Sequence, residues 1–453
     1  MTTPRLTVAV LGASFAGCFA AAAVVAAGGQ VILIERDLLD DRAQPRRGVP
    51  QGRQPHVLLH RGMLAMRHLL PGLAEDLAAA GAHRLDTGHL PWLSPYGWMP
   101  MTDLSYDVYS LSRPLLELLV RRRVLALAGV SLRQGVRATG LARTESGWEV
   151  RLVDGEAVGA DVVIDASGRG SRMSHWLNDL GYPTPETELV EAQLGYASRR
   201  YRQRGAAPLD TGVVVLATPE RPRGGLALPV EDGGWLILES GYGDERPGRD
   251  QTGFDQFLTT LPDPALSQLV EHLDADGEVV VHRQTGNQRR PYGLGGAWPR
   301  GLLVVGDALC AFNPIYGQGI SVAACQAELL TKAVTHLSSA RETRRWQARI
   351  TKVTDFPWAV STSEDLRYPS ANGRQTLVQR LTGRWTARMS RLAVGGNEAC
   401  VRAFADAYHL MGSPARMFGP RVAGPVLASM VRGFPAPVPR PTVLDALISE
   451  DLV

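Results

Sequence analysis

A glycine-rich turn near the start of the chain has the residue types and the spacing that bind phosphate groups. Residues 12–17 read GASFAG, and they follow an apolar run over residues 6–11 that is typical of a buried parallel strand. In such a turn Gly12 allows the tight bend, the small Ser14 lets the backbone approach a pyrophosphate, and Gly17 permits close packing of helix on sheet. Backbone amides at the N-terminus of the following helix would then hold the phosphates.

An acidic residue follows this turn at the distance that a dinucleotide site requires. Glu35 stands 23 residues after Gly12, at the end of a second apolar run over residues 30–34. An acid in this place can bind the hydroxyls of a ribose. The two runs and the helix between them predict a βαβ unit that binds a dinucleotide, and an ordinary structural α/β turn is the alternative.

Two further segments end in small residues after short apolar strands. The first is ADVVIDASG at residues 160–168, and the second is GDA at 306–308, followed by NPIYGQGI at 313–320. Asp165, directly after a buried strand, is well placed to bind a ribityl hydroxyl or an ordered water. The GQG of the last segment opens a predicted helix, whose N-terminal amides would point at an electron-rich group.

Hydrophobic periodicity predicts the elements that position these motifs. Helices are predicted over residues 14–27, 60–70, 73–80, 113–128 and 319–337. Strands are predicted over residues 6–11, 30–34, 131–137, 148–153, 161–165 and 302–305. A separate β-rich stretch contains candidate strands at residues 212–217, 226–230, 235–240 and 278–283.

The order of these elements predicts the α/β fold class, with a discontinuous Rossmann-like nucleotide-binding domain, an inserted β-sheet substrate domain and a C-terminal helical region. The nucleotide-binding domain is expected to comprise residues 1–85, 110–185 and 284–340. The substrate-binding sheet domain is expected to comprise residues 86–109 and 186–283. The helical region is expected to comprise residues 341–453.

Composition restricts the classes of protein to which the chain can belong. With 45% hydrophobic and 21% charged residues among 453, the chain is long enough for two or three globular domains and is neither disordered nor fibrous. A net charge of +3 gives no basis for a nucleic-acid partner. The apolar stretch at residues 19–27 is shorter than the about 20 residues of a membrane span, so no integral membrane association is predicted.

The positions of the cysteines and histidines predict no metal site. Four cysteines lie far apart without a CxxC pair, which favours reduced thiols in a cytoplasmic protein. His56 and His60 share one face of a predicted helix at i, i+4 spacing, as metal ligands do. No glutamate lies between them and no third ligand can be assigned nearby, so no metal is expected.

In this order and spacing, the three glycine-containing motifs resemble the fingerprint of flavoprotein monooxygenases of the aromatic-hydroxylase superfamily, in which FAD lies extended across the nucleotide-binding domain. RRGVPQ at 46–51 with His56, GDALCAFNPIYGQGIS at 306–321 and EDLRYP at 364–369 are similar to the squalene-epoxidase-like bacterial epoxidases of polyether biosynthesis. The resemblance implies an FAD-dependent monooxygenase that epoxidises alkenes of an apolar natural-product intermediate, a polyketide polyene or a terpenoid. A flavin C4a-hydroperoxide would deliver the oxygen.

The resemblance also implies which residues bind the cofactor. The glycine turn would hold the pyrophosphate, Glu35 and Arg36 the adenosine, and the backbone of Val136 the adenine. Arg113 would reach the phosphates or the ribityl chain, with a solvated helix start as the alternative. Arg46 would stand beside the flavin entrance, with an ordinary surface-loop arginine as the alternative. The full expected set is Gly12, Ser14, Phe15, Ala16, Gly17, Glu35, Arg36, Arg46, Arg113, Val136, Asp307 at the ribityl chain, Pro314, Gly317, and Gly319 with Ile320 at the pyrimidine edge of the isoalloxazine.

Ser167 and Gly168 stand where the superfamily usually has an Asp-Gly pair linked to both FAD and NAD(P)H, and no second glycine-rich βαβ unit follows. Electrons are therefore expected either from NAD(P)H bound transiently in a groove or from a separate reductase. Epoxidation by a flavin needs no protein nucleophile, so no catalytic acid or base is predicted, and the expected partners are dioxygen and a small apolar molecule. Aromatic hydroxylation, a redox-neutral FAD-dependent cyclase and a non-enzymatic dinucleotide-binding sensor are the alternative functions.

Overall fold

The computed structural model describes residues 5–205, 207 and 209–448. The first and last residues of the predicted domains, 1 and 453, lie outside the described residues. The division of the chain into three domains stays a prediction, and the elements are described here by the sheets and helix clusters that they form.

The described residues form 21 strands and 13 α-helices. Strands of the first part of the chain are β1 (Thr7–Leu11), β2 (Gln30–Glu35), β3 (His83–Asp86), β4 (Trp92–Ser94), β5 (Gly97–Trp98), β6 (Asp107–Ser110), β7 (Val130–Gln134), β8 (Ala138–Arg143), β9 (Trp148–Leu152), β10 (Ala157–Ala160) and β11 (Val162–Asp165). Those that follow are β12 (Glu188–Val190), β13 (Leu194–Gln203), β14 (Val213–Val215), β15 (Arg223–Val230), β16 (Gly234–Tyr242), β17 (Leu273–Ala275), β18 (Val280–His282), β19 (Asn287–Arg289), β20 (Leu302–Val304) and β21 (Cys310–Ala311).

The helices fall into a group within the first 333 residues and a group that follows it. The first group is α1 (Phe15–Ala26), α2 (His60–Leu69), α3 (Leu73–Ala79), α4 (Arg113–Leu125), α5 (Met173–Asp179), α6 (Gln251–Thr259), α7 (Ala265–Glu271) and α8 (Gly319–Ala333). The second is α9 (Ala340–Lys352), α10 (Asp355–Asp365), α11 (Leu377–Val394), α12 (Glu398–Tyr408) and α13 (Pro420–Arg432). Among the described residues, no helix combines the length and the hydropathy that a bilayer span requires.

Five parallel strands form the sheet that carries the glycine turn. Their order is β20-β11-β1-β2-β7, and each neighbouring pair is parallel. Val8, Ala9 and Val10 of β1 are fully buried because helices pack over the sheet, which explains the continuous apolar run. Four alanines at residues 20–23 let α1 pack closely against α8. The predicted βαβ unit is therefore present as β1, α1 and β2.

A second, mostly antiparallel sheet has the order β17-β13-β16-β15-β14-β4-β5, and β18 also pairs with β13. β4 pairs with β14 in parallel, so residues 92–98 complete a sheet formed mainly by a later part of the chain. One face packs against α6 and α7 in a core that contains Trp235 and Phe254. The other face, with Leu226 and Leu238, lines a large cavity. Three small sheets, β10-β9-β8, β12-β19-β21 and β3-β6, complete the strands.

The last three helices, α11 to α13, pack together around one small core. Met389, Ala393 and Val426 lie in this core, together with Leu104 and Tyr106 from the segment before β6. The helices therefore pack onto the segment that connects β5 of the second sheet to β6. α11 begins with a capping box between Thr376 and Gln379, whose side chains each accept a hydrogen bond from the other's backbone amide, at 3.2 and 2.9 Å.

The architecture confirms the predicted fold class, an α/β fold with a Rossmann-like parallel sheet, an inserted β-sheet and C-terminal helices. Several elements of the inserted region were not predicted, among them the ten-residue strand β13 and the helices α6 and α7. β13 carries three arginines, so its sequence lacks the continuous apolar run that predicts a central strand. In the structure Arg199 is accommodated by a hydrogen bond, since its Nε donates to the Gly277 carbonyl at 2.9 Å.

Candidate functional site

A single cavity of about 1280 Å³ lies between the parallel sheet, the second sheet and the C-terminal helices. Pockets for one drug-sized ligand usually measure about 300 to 1,000 Å³, so this cavity has room for more than one such molecule. Of the fifteen cofactor-binding residues predicted from the sequence, Gly17 does not line the cavity, because it is buried behind the glycine turn. The other fourteen line the cavity: Gly12, Ser14, Phe15, Ala16, Glu35, Arg36, Arg46, Arg113, Val136, Asp307, Pro314, Gly317, Gly319 and Ile320.

The glycine turn packs tightly between neighbouring strands. Gly12 has a φ of +99°, which favours glycine, and its N–H donates to the Ile34 carbonyl at 2.8 Å. A Cβ on Gly12 would lie 2.6 Å from the Ala166 carbonyl oxygen, and one on Gly17 would lie 1.8 Å from the Gly12 carbonyl oxygen. Ser14 caps α1 without a side-chain hydrogen bond, so the first amides of this helix stay available to an anion.

Glu35 stabilises this turn from the end of β2. Its Oε2 accepts from the Ala13 N–H at 2.8 Å, and its Oε1 accepts from the Asp37 N–H at 3.0 Å. The carboxylate is 4% exposed and still lines the cavity. Val136 lies beside it, with its N–H donating to the Glu35 carbonyl at 3.0 Å. Glu35 therefore both fixes the backbone of the turn and presents a carboxylate to the cavity.

Arg46 lies within a cluster of three carboxylates. Its Nη1 is 3.0 Å from Asp37 Oδ2 and 3.3 Å from Glu35 Oε2, and its Nε donates to Glu117 Oε1 at 3.1 Å. Burial alone would lower the pKa of Arg46, but the charges of Glu117 and Glu35 raise the pKa above its ordinary value. The structure thus places Arg46 beside the predicted adenosine residues, where the surrounding carboxylates neutralise its charge.

Arg113 is buried at the start of α4, after the N-cap Ser112. Its guanidinium lies 5.0 Å from the centre of the Phe15 ring, and its Nη1 donates to His56 Nε2 at 2.7 Å. The Nε of Arg113 has no hydrogen-bond partner within the described chain. Burial lowers the pKa of this arginine, while the charges of Glu117 and Asp307 act in the opposite direction. A solvated helix start therefore does not describe Arg113.

Asp307 faces two arginines across the cavity. Burial raises the pKa of Asp307, and the positive charges of Arg169 and Arg113 oppose that shift. Its carboxylate accepts no hydrogen bond from any described residue, which leaves both oxygens free for a ligand. Arg169 also lines the cavity and was not predicted. The signal for it was its place directly after the strand-ending ASG motif, at the carboxyl end of β11.

The N-terminus of α8 points into the same cavity. Gly317 has a φ of 65°, and Gly319 begins the helix with no acidic residue in its first turn. The buried Oε1 of Gln318 has no hydrogen-bond partner in the part of the chain that the structure describes. Helix amides, which donate, and an unpaired side-chain acceptor at this place suit a polar ring edge that carries both acceptor atoms and an N–H donor.

A buried carboxylate holds the turn that precedes α8. Asp365 accepts hydrogen bonds from Asn313 Nδ2 at 3.0 Å, from Tyr316 Oη at 2.7 Å and from Asn287 Nδ2 at 2.6 Å. Burial raises the pKa of Asp365 to about 6, and these three hydrogen bonds oppose the shift. The sequence showed Asp365 within the EDLRYP motif but gave it no role. The structure shows that it fixes the backbone beside Pro314.

The part of the cavity beyond α8 is mainly apolar. Its walls come from the second sheet, from the segment around β4 and from α10 to α12, with the side chains of Trp92, Met99, Val214, Leu216, Leu226, Leu238, Phe312, Phe404 and Tyr408. α11 adds small uncharged residues, Thr382, Gly383, Thr386, Ala387 and Ser390, and also the charged side chains of Arg380 and Arg384. The sequence gave no function to the C-terminal helices, and the structure shows that they close this end of the cavity.

Two sequence interpretations are wrong. His56 and His60 do not share a helix face, because α2 begins at His60 and His56 binds Arg113 and the Gln54 carbonyl instead. Asp165 does not face the cavity, because its oxygens accept from Ser167 and from Ser171 within its own loop. Among residues 5–205, 207 and 209–448, no group of three or more His, Cys, Asp or Glu side chains is placed to hold a metal ion.

Comparisons with known proteins agree with this fold. No family model matches the chain. Protein Rv3254 of Mycobacterium tuberculosis is 30% identical over 387 residues, which cover 81% of this chain and 82% of the relative. A flavoprotein/dehydrogenase from Cytophaga hutchinsonii superposes with a TM-score of 0.67 at 14% identity, covering 93% of this chain and 96% of that one. PqsL, a probable FAD-dependent monooxygenase from Pseudomonas aeruginosa, superposes with a TM-score of 0.59 at 17% identity, covering 80% and 98%. The chain belongs to the same family as protein Rv3254, and its fold is that of PqsL and related flavoproteins.

Proposed function

We propose that this protein is an FAD-dependent monooxygenase that epoxidises an alkene of an apolar natural-product intermediate, a polyketide polyene or a terpenoid. The observation that carries the proposal is the continuity of the cavity. It extends from the glycine turn, past Arg113 and Asp307, to the N-terminus of α8 and the aliphatic wall of the second sheet. A dinucleotide cofactor and an apolar substrate would then lie end to end.

The residues along the cavity fit FAD. The first turn of α1 and the unpaired Nε of Arg113 suit a diphosphate, and the free carboxylate of Asp307 suits hydroxyl groups of a ribityl chain. Glu35 lies where an acid can bind ribose hydroxyls. When bound, FAD supplies the two-electron chemistry that activates dioxygen. The positively polarised helix N-termini of the protein, together with Arg113 and Arg169 on either side of Asp307, would balance the negative charge of the cofactor.

The chain itself would orient the substrate and exclude water. Epoxidation inserts one oxygen atom of dioxygen into the alkene, and two electrons with two protons reduce the other atom to water. The wall opposite the α8 N-terminus carries Leu226 and Leu238, which present no proton donor and keep the site dry. No side chain is therefore assigned as an acid or base. NAD(P)H, bound transiently, or a separate reductase would supply the electrons.

The test uses purified protein loaded with FAD, isotopically labelled dioxygen and three probes: squalene, farnesol and 2-naphthol. Electrons are supplied in parallel by NADPH and by NADPH with a flavin reductase. We expect one labelled oxygen in an epoxide of an alkene probe, with matching oxygen consumption. Labelled hydroxylation of 2-naphthol alone would favour an aromatic hydroxylase. Isomerised farnesol without oxygen consumption would favour a redox-neutral cyclase, and hydrogen peroxide as the sole oxygen product would contradict the proposal.

A variant at the apolar end of the cavity tests whether the substrate and FAD occupy different ends. Gly383 lines the apolar end, and a Cβ on it would meet no heavy atom within 4 Å. Gly383→Trp should therefore fill substrate space without disturbing the glycine turn. We expect unchanged FAD binding together with loss of the epoxide and release of peroxide. Equal loss of FAD binding would show that the two ends are not separate.

A further inference from the structure

The guanidinium of Arg113 has an unusual set of partners for a buried arginine. It is 7% exposed, yet the hydrogen bond that it donates to a side chain goes to a histidine and not to a carboxylate. Glu117 and Asp307 act on it through space without a hydrogen bond. Arg46, in contrast, is held by three carboxylates that neutralise it. Arg113 therefore keeps its positive charge available to a ligand.

The geometry fixes the tautomer of His56. Its Nδ1 lies 2.7 Å from the carbonyl oxygen of Gln54, which can only accept, so Nδ1 carries the proton. Its Nε2 lies 2.7 Å from Nη1 of Arg113, which can only donate, so Nε2 is the acceptor. Burial, followed by the adjacent charge of Arg113, lowers the pKa of His56 to about 3. The ring is therefore a neutral acceptor at every working pH.

Gln54 connects this pair to the second sheet. Its Nε2 donates to the Val280 carbonyl of β18 at 3.0 Å, and its Oε1 accepts from the hydroxyl of Ser198 on β13. Gln54 is 2% exposed and Ser198 is 1% exposed. A chain of buried and part-buried hydrogen bonds thus runs from two strands of the second sheet through Gln54 and His56 to the cavity.

We propose that His56 is a positioning residue, which orients the Arg113 guanidinium so that its unpaired Nε–H meets the diphosphate of FAD. A neutral acceptor holds the guanidinium without cancelling its charge, whereas a carboxylate in the same place would compete with the phosphates. The role rests on the proposed binding of FAD. It also ties the geometry of the cofactor site to the second sheet, through Gln54.

Four proteins test this role in a double-mutant cycle: wild type, His56→Leu, Arg113→Met and the double variant. The measurement is the dissociation constant of FAD, from the change in flavin fluorescence on binding. We expect His56→Leu to weaken binding about tenfold in the wild-type background and by less than about twofold beside Arg113→Met, because coupled residues are not additive. His56→Gln, whose amide oxygen can accept from Arg113, should restore most of the affinity.

Additive losses in the cycle, or equal losses in the Gln and Leu variants, would refute the positioning role. If wild type and His56→Leu bound FAD equally well, this result would refute the role of His56 but not the proposed function. A wild type that binds no FAD would refute the proposed function as well. The pH profile compares wild type with His56→Gln, because Gln does not titrate and because His282 and Asp307, which line the same cavity, are present in both proteins. The ratio of the two dissociation constants should not change between pH 8 and pH 5.5. A loss of affinity confined to wild type, with a midpoint near the ordinary histidine pKa of about 6.5, would show that His56 becomes charged.

Discussion

Replacing Gly17 of α1 with alanine should damage the cofactor site, because the added methyl group has no space. A Cβ at this position would lie 1.8 Å from the Gly12 carbonyl oxygen, whereas real Cβ atoms essentially never approach closer than 3.0 Å. α1 or the glycine turn would have to move by more than about 1 Å, and such overpacking costs about 1 to 3 kcal/mol. The gain in helix propensity, about 1 kcal/mol, offsets part of this cost.

The backbone that Gly17→Ala displaces is the backbone that would hold the diphosphate of FAD. The variant should therefore lose affinity for FAD as well as stability. We expect the FAD dissociation constant of Gly17→Ala to rise at least about tenfold, which corresponds to about 1.4 kcal/mol. The free energy of unfolding without FAD should fall by up to about 2 kcal/mol, the difference between overpacking and propensity. Urea unfolding and a flavin fluorescence titration measure the two quantities.

Gly383→Ala is the matched control, because Gly383 also lies inside a helix and a Cβ there meets no heavy atom within 4 Å. This variant should gain up to about 1 kcal/mol in stability and should bind FAD as wild type does. If Gly17→Ala bound FAD with wild-type affinity, or if the two alanine variants changed stability equally, the packing of the turn would not determine the site.

Three further variants test the buried charges. Burial raises the pKa of Asp365 from 3.8 to about 6, so the folded state binds this proton more tightly than the unfolded state does. The stability of wild type relative to Asp365→Asn, measured by urea titration, should therefore fall by about 2 kcal/mol as the pH rises from 4 to 6. Burial raises the pKa of Glu239 from 4.5 to about 9, so at pH 7 this carboxyl is neutral in the folded state and ionised in the unfolded state. Glu239→Gln is neutral in both states and should therefore stabilise the protein at pH 7 by about 3 kcal/mol. A destabilised variant would contradict this. Arg46→Met leaves three carboxylates without their cation and should lower the free energy of unfolding by about 3 to 5 kcal/mol at pH 7. Part of this stability should return on acidification, because the carboxylates then become protonated. A loss of stability that does not depend on pH would show a packing effect alone.

The glycine turn and its βαβ unit were predictable because their determinants are local. Gly12, Gly17 and Glu35 act through spacing along the chain, and a tight turn between a buried strand and a helix leaves few alternatives for each residue. The start of α4 at Arg113 was predictable for the same reason, since Ser112 is a typical N-cap. The cofactor residues implied by resemblance stay predictions, although the structure brings them to one cavity.

The remaining features depend on contacts between distant parts of the chain. Asp365 holds the α8 turn through Asn287, Asn313 and Tyr316, which precede it by 78, 52 and 49 residues. No local pattern indicates such a partnership. The burial of Arg113 depends likewise on His56, 57 residues earlier. The closure of the cavity by α11 follows from the packing of the last three helices, which periodicity along one segment does not reveal.

A crystal structure of the protein with bound FAD tests the central claim most directly, because the claim is that cofactor and substrate share one cavity. We expect the diphosphate between the first turn of α1 and the Nε of Arg113, and the isoalloxazine at the N-terminus of α8, facing Leu226 and Leu238. A flavin bound elsewhere, or one whose ring points away from the aliphatic wall, would contradict it.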